Sequence, residues 1–206
     1  MSTAILDLDL EMPSKPTTRA EQTGAPAGVD RIVLTGFMGS GKTTVGALLA
    51  ERLGWRFLDL DREIERRDGR PVPEIFRESS EAGFRHLETA ALASMLGQRR
   101  VVLALGGGAP EELSNRLLLE QTPRTAVVYL SAPYGTLVER CSQQAAEPGA
   151  VARPVLADLV AAEERFHLRR PHYERIASHS VETSQMALEK TVEAVLLCLR
   201  GDTSSR

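Results

Sequence analysis

The sequence predicts an α/β fold in which a parallel sheet of about five strands is flanked by helices. Short β-branched and apolar runs alternate with longer segments of helical periodicity, an order typical of a doubly wound sheet. Two of the runs, at 101–105 and 126–130, are apolar throughout, as expected for parallel strands buried on both faces. At 31–53 a strand, a glycine-rich loop and a helix follow one another directly. In such sheets a ligand binds beyond the carboxyl ends of the strands.

The individual elements follow from local patterns. Apolar side chains recur at helical spacing within residues 44–53, and Gly54 then provides a C-cap. Strands are predicted at 31–35, 55–59, 101–105, 126–130 and 179–183. Further helices are predicted at 81–98, which is rich in Ala, Leu and Glu, at 157–169, which is amphipathic and ends before Pro171, and at 186–199, which has one apolar face.

The segment Gly36–Thr43, GFMGSGKT, matches the P-loop pattern G-x-x-x-x-G-K-[ST]. Its glycines let the backbone curl with N–H groups directed at a phosphate, and the helix start adds unpaired donors and partial positive charge. Lys42 can reach the outer phosphates, and the Thr43 hydroxyl can ligate Mg²⁺. The alternative is a plain glycine-rich turn, but the full motif between a strand and a helix favours nucleotide binding.

The composition argues against a nucleic-acid-binding protein, a membrane protein and a disulfide-rich protein. The chain has 206 residues, of which 42% are apolar, so it can bury a real core. The net charge of -3 and the pI of about 5.9 argue against a nucleic-acid-binding protein, which normally carries a basic face. No apolar run is long enough to cross a bilayer, so no membrane partner is expected. Cys141 and Cys198 are too few and too far apart for a disulfide scaffold, which favours a cytoplasmic protein.

The chain divides into three parts. Residues 1–30 are rich in Pro, Thr and acids, and they lack the basic start and apolar core of a signal peptide, so we expect a flexible leader. Residues 31–200 form one domain, and residues 201–206 form a tail. No large exposed apolar stripe stands out, and we expect a monomer.

Two acids follow the second predicted strand. Asp59 and Asp61 alternate, and on an extended chain they would point to the same side and share one site. One could hold Mg²⁺ through water while the other orients, or takes a proton from, an attacking hydroxyl. The alternative is a solvated turn followed by helix capping.

Three further features are candidates for ligand contacts. Arg85 and Glu88 are three residues apart on one helix face, which on spacing alone favours a surface pair. Three glycines, Gly106, Gly107 and Gly108, follow a buried strand directly, which suggests close approach of a ligand or another chain, although a tight turn is the alternative. Arg169 ends a helix and could capture a carboxylate or merely complement the helix dipole.

The segment at about 141–155 has the composition of a mobile lid. It is polar, rich in small residues and ends near Arg153-Pro154. A lid would bring Arg153 onto the phosphates, whereas the alternative is a plain surface loop.

Taken together, these motifs make the chain resemble the shikimate kinase family from about Arg31 to about Leu199. The ordered set is more specific than the P-loop alone. It comprises GFMGSGKTTVG at 36–46, FLDLD at 57–61, FRHLE at 84–88, LGGG at 105–108, ARPVL at 152–156 and RRPHYERIA at 169–177.

The resemblance implies a P-loop NTPase fold like that of nucleoside monophosphate kinases, with a lid and a substrate-binding helical region. It implies a transferase that moves the γ-phosphoryl group of ATP to the 3-hydroxyl of shikimate and uses Mg²⁺. This reaction belongs to the shikimate (chorismate) pathway of aromatic amino-acid biosynthesis. On the nucleotide side, the implied residues are Gly39, Ser40, Gly41, Lys42, Thr43 and Thr44 at the phosphates, Arg153 on the lid and Arg140 against adenine, with Thr43 and Asp59 serving the metal.

On the acceptor side, the resemblance assigns Asp61 to the shikimate hydroxyls and Glu88 to bracing the substrate-binding helix. Lys42, Asp61 and Arg153 are the implied catalytic residues. The shikimate-binding residues implied are Asp61, Arg85, Gly106, Gly107, Gly108 and Arg169, of which the two arginines hold the carboxylate.

Two other functions fit part of the pattern. A gluconate kinase of the same fold would share the P-loop and lid but need not combine Asp61, Arg85 and Arg169. A non-catalytic module that senses a nucleotide or shikimate would be favoured by loss of Lys42, Asp61 or the lid arginine, and none of these is lost.

Overall fold

A computed structural model describes residues 24–146 and 157–201 of the chain. The strands are β1 (Arg31–Thr35), β2 (Arg56–Asp59), β3 (Val101–Ala104), β4 (Thr125–Ser131) and β5 (His179–Glu182). The helices are α1 (Lys42–Leu53), α2 (Leu60–Asp68), α3 (Val72–Glu78), α4 (Glu81–Leu96), α5 (Leu113–Gln121), α6 (Tyr134–Ala145), α7 (Leu159–Ile176) and α8 (Leu188–Gly201), with a 3₁₀ turn at Ala109–Glu111.

The five strands form one sheet in the order β2-β3-β1-β4-β5, and every pairing is parallel. The central strand β1 pairs with β3 through Val33 opposite Leu103, and with β4 through Val33 opposite Val127. All five strands were predicted from the sequence to within about a residue at each end. The prediction of a parallel α/β sheet is therefore confirmed.

The side chains of β1 alternate between two buried clusters. Ile32 and Leu34 pack with α1 and α8 on one face of the sheet. Val33 faces the opposite cluster, to which α4 contributes Leu92 and Met95. Because both faces of β1 are covered, its carboxyl end is fixed between two helical layers, and the loop that follows is held at a defined place.

The helix predicted at 157–169 does not end before Pro171. Helix α7 contains Pro171 and continues to Ile176. A proline inside a helix costs roughly 3 kcal/mol through the lost hydrogen bond and the ring clash. Burial of Tyr173 and Ile176, which are 0% and 8% exposed, offsets this cost, since a buried side chain of this size contributes about 1.5–3 kcal/mol.

Helix α6 also corrects the sequence analysis, which expected a lid from about residue 141. The helix runs through Arg140 to Ala145, so the first part of the expected lid at 141–155 is helical. The rest of that segment, including Arg153, lies outside the described residues, as do most of the expected leader and the tail beyond residue 201.

No helix in the part of the chain that the structure describes is long and apolar enough to cross a membrane. Within the described residues, Cys141 and Cys198 form no disulfide bond.

Candidate active site

Residues predicted from three separate motifs converge at the carboxyl ends of β1, β2 and β3. They line a cavity of about 350 Å³ between the P-loop, the start of α2 and helix α7. Its predicted lining residues are Gly39, Gly41, Lys42, Thr43, Thr44, Asp59, Asp61, Gly107 and Arg169. Leu105, Met38 and Gln144 complete the wall.

The P-loop backbone has the conformation that its glycines permit. Gly36, Gly39 and Gly41 have φ angles of 144°, 79° and 89°, in the region that L-residues rarely adopt. A Cβ on Gly36 would lie 2.6 Å from the carbonyl oxygen of Leu130, and one on Gly39 would lie 2.6 Å from that of Leu137. Substitution at either position would therefore distort the loop. The Gly41 N-cap leaves the first N–H groups of α1 without a capping side chain, which is the arrangement that binds a phosphate.

Lys42 and Thr43 open helix α1 and face the cavity. Nζ of Lys42 donates hydrogen bonds to the carbonyl oxygens of Gly36 and Phe37 at 2.8 and 3.0 Å, so the ammonium lies over the loop itself. The Thr43 hydroxyl donates to Oδ2 of Asp59 at 3.0 Å. These two oxygens are hard ligands of the kind that Mg²⁺ prefers, so the pair fits a magnesium ion.

Asp59 and Asp61 share the cavity, as predicted, but not through alternation on an extended chain. Asp59 ends β2 and caps α2, accepting from the N–H groups of Asp61 and Arg62 at 3.2 and 3.4 Å. Asp61 lies in the first turn of that helix. Asp59 therefore has both roles: it caps helix α2, as the alternative expected, and its carboxylate also lies beside Thr43.

The carboxyl group of Asp61 has an unusual electrostatic environment. Solvent reaches it through the open cavity, while protein surrounds it on the other sides. This desolvation, together with the nearby charge of Asp59, raises the pKa of Asp61 to about 6, although the positive charge of Lys42 acts in the opposite direction. A carboxyl group with such a pKa in a ligand cavity is a candidate for proton chemistry.

Arg85 and Glu88 form an ion pair on the inner face of α4, not the surface pair that their spacing alone favours. Nη1 of Arg85 donates to Oε2 of Glu88 at 2.9 Å, and the Glu88 side chain is only 1% exposed. Asn115 from α5 also donates to Oε2 of Glu88, at 3.3 Å, and to the Ala109 carbonyl at 2.9 Å. Burial raises the pKa of Glu88, and the Arg85 guanidinium opposes this shift. The pair fixes Arg85 against the glycine turn.

Arg169 approaches the same point from α7. Its guanidinium contacts Oε2 of Glu111 through Nε and Nη2, both at 2.9 Å. A Cβ on Gly108 would lie 2.7 Å from Nη2 of Arg85 and 3.0 Å from Nη2 of Arg169. The two guanidinium groups therefore lie close to the same point beside Gly108, although they come from different helices, α4 and α7.

The glycine turn after β3 is held on both sides. The hydroxyl of Tyr173 donates to the Gly107 carbonyl at 2.6 Å. A Cβ on Gly106 would lie 2.7 Å from Oδ1 of Asp61, so only glycine leaves room for that carboxylate. Side chains of this chain thus approach the glycine turn closely, and the close approach of a ligand stays a prediction.

Arg140 lies next to the cavity, not in it. Its guanidinium donates to the hydroxyl of Thr183 at 3.0 Å and to the Thr183 carbonyl. There it lines a second cavity of about 260 Å³ behind the P-loop, together with Thr44, Gln144, Thr183, Met186, Ala187 and Leu188. This second cavity also borders the P-loop through Gly39, Ser40 and Gly41.

The sequence analysis missed three residues that hydrogen-bond to predicted site residues: Glu111, Asn115 and Tyr173. Asn115 and Glu111 contact partners 27 and 58 positions away, so no local spacing marks them. Tyr173 had a usable signal, because it lies four residues after Arg169 and shares its helix face once α7 continues through Pro171.

A larger cavity, of about 970 Å³, lies away from the P-loop, between α7 and the ends of β4 and β5. Its walls include Tyr134, His167, Arg170 and His179 but no P-loop residue. The candidate active site is identified by its chemistry and not by its size. Of the three cavities described, the one of about 350 Å³ combines the P-loop with the paired acids.

Comparisons with known proteins agree with this geometry. The family model of shikimate kinase matches residues 38–200. A shikimate kinase from Nitrosomonas europaea is 40% identical over 185 residues, which cover 90% of this chain and 84% of that relative. The structure of shikimate kinase from Acinetobacter baumannii in complex with shikimate is similar with a TM-score of 0.75 and 37% identity, covering 84% of this chain and 94% of the other.

A gluconokinase from Sinorhizobium meliloti is also similar, with a TM-score of 0.57, 21% identity and coverage of 86% of this chain and 98% of the other. At that identity the likeness shows the shared fold alone. The shikimate kinase family model, by contrast, matches most of the domain, and a shikimate kinase relative is 40% identical to this chain. These matches show the family and not only the fold. The chain belongs to the shikimate kinase family.

Proposed function

We propose that the protein transfers the γ-phosphoryl group of ATP to the 3-hydroxyl of shikimate, giving shikimate 3-phosphate and ADP. One observation carries the proposal. Asp61 faces the same cavity as the P-loop, and Arg85 and Arg169 meet over the glycine turn at its edge. An acceptor with hydroxyls at one end and a carboxylate at the other matches this arrangement.

On the nucleotide side, residues 39–44 bind the phosphates through backbone N–H groups and the start of α1. Lys42 exchanges its contacts with the P-loop carbonyls for the outer phosphates. Arg140 lines the second cavity beside the P-loop, and we assign it to adenine. Arg153 is assigned to the phosphates as the lid arginine on the strength of its motif.

We assign a Mg²⁺ site to the hydroxyl of Thr43 and the carboxylate of Asp59. Among the residues that the structure describes, no three His, Cys, Asp or Glu side chains form a metal-binding group. Two protein oxygens are the usual number where Mg²⁺ is shared with a nucleotide. When bound, the ion would neutralise charge on the phosphates.

On the acceptor side, Arg85 and Arg169 hold the carboxylate, and Glu88 fixes the guanidinium of Arg85 from behind. The glycine turn at 106–108 presents its backbone to the acceptor. Asp61 accepts a hydrogen bond from the shikimate hydroxyls and directs the attacking oxygen at the γ-phosphate.

Catalysis by this arrangement is mostly positioning and charge neutralisation. Phosphoryl transfer needs an oriented nucleophile and cations on the transferred group more than covalent chemistry. Lys42 and Arg153 supply fixed positive charge. With a pKa of about 6, Asp61 is mostly ionised at neutral pH and can take the hydroxyl proton as the bond to phosphorus forms.

We further propose a cytoplasmic monomer with a leader at 1–30, one catalytic domain at 31–200, a lid at about 141–155 and a short tail. Analytical ultracentrifugation of the full chain tests the monomer. A species of twice the mass at enzyme concentrations used in the assay would contradict it.

An ADP-release assay with the full chain, ATP and Mg²⁺ tests the function. Shikimate should stimulate ADP release strongly, whereas gluconate should not. Lys42→Ala serves as a matched preparation that excludes a contaminating kinase: it should keep its circular dichroism spectrum and lose turnover. Losing this preorganised contact should cost about 3 kcal/mol or more in the transition state. Faster turnover with gluconate, or no stimulation by any acceptor, would overturn the proposal.

A further inference from the structure

One carboxylate oxygen of Glu111 lies between the two guanidinium groups assigned to shikimate. Oε2 of Glu111 is 2.9 Å from both Nε and Nη2 of Arg169. The same oxygen is 3.6 Å from Nη2 of Arg85. An acidic side chain of the protein therefore occupies the position between the arginines where an anionic acceptor group would bind.

Hydrogen bonds hold the backbone of Glu111 in place, whereas its side chain is partly exposed to solvent. Glu111 closes the 3₁₀ turn, and its N–H donates to the Gly108 carbonyl at 2.9 Å. Nη1 of Arg116 donates to the carbonyl oxygens of Pro110 and Glu111, both at 2.7 Å. The Glu111 side chain is 33% exposed, so its carboxylate can swing into solvent by rotating about its own bonds.

The arginines are more shielded than the acid. The side chains of Arg85 and Arg169 are 11% and 15% exposed. Shielded guanidinium groups need an anionic partner, because desolvation without one is costly. Arg85 also faces the carboxylates of Glu88 at 2.9 Å, Glu81 at 3.5 Å and Glu112 at 3.9 Å.

We propose that Glu111 is an internal competitor for the acceptor carboxylate, so that shikimate binds by displacing the Glu111 side chain from Arg169 and Arg85. The inference rests on the proposed function, which gives these arginines to the acceptor. One carboxylate replaces another, and the arginines keep an anionic partner throughout. The exchange keeps the empty site ordered and lowers the affinity for shikimate.

Glu111→Gln in the full chain tests the competition. The amide keeps the shape of the side chain and removes the charge, so the exchange becomes easier for shikimate. At saturating ATP we expect the shikimate KM to fall about three- to fivefold, as for the loss of one partly exposed ion pair. The shikimate Kd from calorimetry should fall in parallel, while kcat and the ATP KM stay within about twofold.

Glu112→Gln is the matched control. It removes the same charge one residue along the chain, from a carboxylate 3.9 Å from Nε of Arg85. Its shikimate KM should change by less than about twofold, because its carboxylate does not lie between the two guanidinium groups. Equal decreases in both variants would indicate a general charge effect and overturn the proposal. An unchanged or raised KM in Glu111→Gln would also overturn it, the latter by showing that Glu111 preorganises the arginines.

Two further variants keep the outcome decisive. Should Glu111→Gln fail to fold, Glu111→Asp keeps the charge but shortens the side chain, and its KM should fall in the same direction. Arg169→Lys separates this inference from the proposed function. A raised KM in Arg169→Lys with no decrease in Glu111→Gln rejects the competition alone, whereas an unchanged KM in Arg169→Lys rejects the assignment of the arginine itself.

Discussion

The phenolic hydroxyl of Tyr173 donates a hydrogen bond of 2.6 Å to the carbonyl oxygen of Gly107, which joins helix α7 to the glycine turn after β3. Tyr173 is fully buried, and burial raises the pKa of its phenol, so the hydroxyl stays protonated and remains a donor. The bond places the side chain of Arg169, one helical turn earlier, beside the glycine turn that we assign to the acceptor.

Tyr173→Phe should therefore lower stability and weaken acceptor binding together. The Gly107 carbonyl loses its buried donor, at a cost of about 1–3 kcal/mol in the free energy of unfolding. The shikimate KM should rise because the turn and Arg169 lose their common anchor, while the ATP KM changes little. Urea denaturation and steady-state kinetics measure the two effects.

Tyr134→Phe provides the control for this prediction. The Tyr134 hydroxyl also donates to a backbone carbonyl, that of Leu159 at 2.7 Å, but in a more exposed position away from the acceptor site. It should lose less stability and leave the shikimate KM near the wild-type value. Identical losses in the two variants would mean that the bond to Gly107 has no special role.

The raised pKa of Asp61 predicts that the ionised carboxylate needed for activity lowers the free energy of unfolding. In the folded protein the group binds a proton more tightly than its ordinary pKa of 3.8 allows, since desolvation and Asp59 raise the value to about 6. Its ionisation therefore destabilises the fold, and this penalty develops as the pH rises from about 4 to about 6. Asp61→Asn should melt at a higher temperature than wild type at pH 8, and the difference should shrink towards pH 4.

The same group should control the acid limb of the activity profile. We expect wild-type kcat/KM for shikimate to fall as the pH decreases through about 6, because the protonated carboxyl is a poor hydrogen-bond acceptor. Asp61→Asn should lose about a hundredfold or more in kcat, as for loss of a general base, and lose this limb. A wild-type profile that is flat between pH 5 and 7 would contradict the role of Asp61.

The parts of the site that the sequence predicted are those with a local signature. The P-loop needs closely spaced glycines, a lysine and a threonine, and these lie within Gly36–Thr43. Arg85 and Glu88 are three residues apart on one helix, so their contact follows from the helical repeat, although their burial does not. Strands β3 and β4 were found because buried parallel strands are short and apolar throughout.

The parts that escaped prediction depend on packing between distant segments. Nothing near Glu111 in the sequence indicates that its carboxylate meets Arg169, because the turn and helix α7 come together only in the folded chain. The proline rule predicted a helix end before Pro171, but burial of Tyr173 in the core carries the helix onward. Asp59 and Asp61 do share a site, but because Asp59 caps α2 and not because the chain is extended.

Asp59→Asn should chiefly raise the Mg²⁺ concentration needed for half-maximal activity. Asparagine remains a good N-cap, so α2 should keep its first turn, and the amide NH₂ that replaces Oδ2 can donate to the Thr43 hydroxyl. What is lost is the negative charge that favours a divalent cation. The measurement is a Mg²⁺ titration at saturating ATP and shikimate.

Asp61→Asn is the comparison for that titration. It should reduce turnover at every Mg²⁺ concentration and weaken shikimate binding, because its carboxylate meets the acceptor. The same response of both variants to Mg²⁺ and shikimate, or the reverse of the expected pattern, would show that the two acids do not divide the work in this way.

Arg85→Lys and Arg169→Lys should each raise the shikimate KM more than tenfold. Charge-assisted hydrogen bonds of this kind contribute about 1.5–3 kcal/mol each, and an ammonium cannot reproduce the planar fork of a guanidinium. ATP binding without shikimate should change little, because both side chains lie on the acceptor side. Arg170→Lys is the matched control: Arg170 neighbours Arg169 but is exposed and pairs with Glu174 at 2.7 Å. Its shikimate KM should stay near that of the wild type.

A shikimate analogue with a neutral amide in place of the carboxylate tests the same assignment from the ligand side. Two shielded guanidinium groups over the acceptor pocket favour an anion, so wild type should lose much of its affinity when the charge is removed. Arg85→Lys and Arg169→Lys should lose far less, since each has already lost part of that interaction. Equal phosphorylation of the amide and the acid by wild type would show that the two arginines do not bind the carboxylate of the acceptor. In that event their position at the edge of the cavity would need another explanation, and the choice of shikimate over a neutral polyol would lie elsewhere in the site.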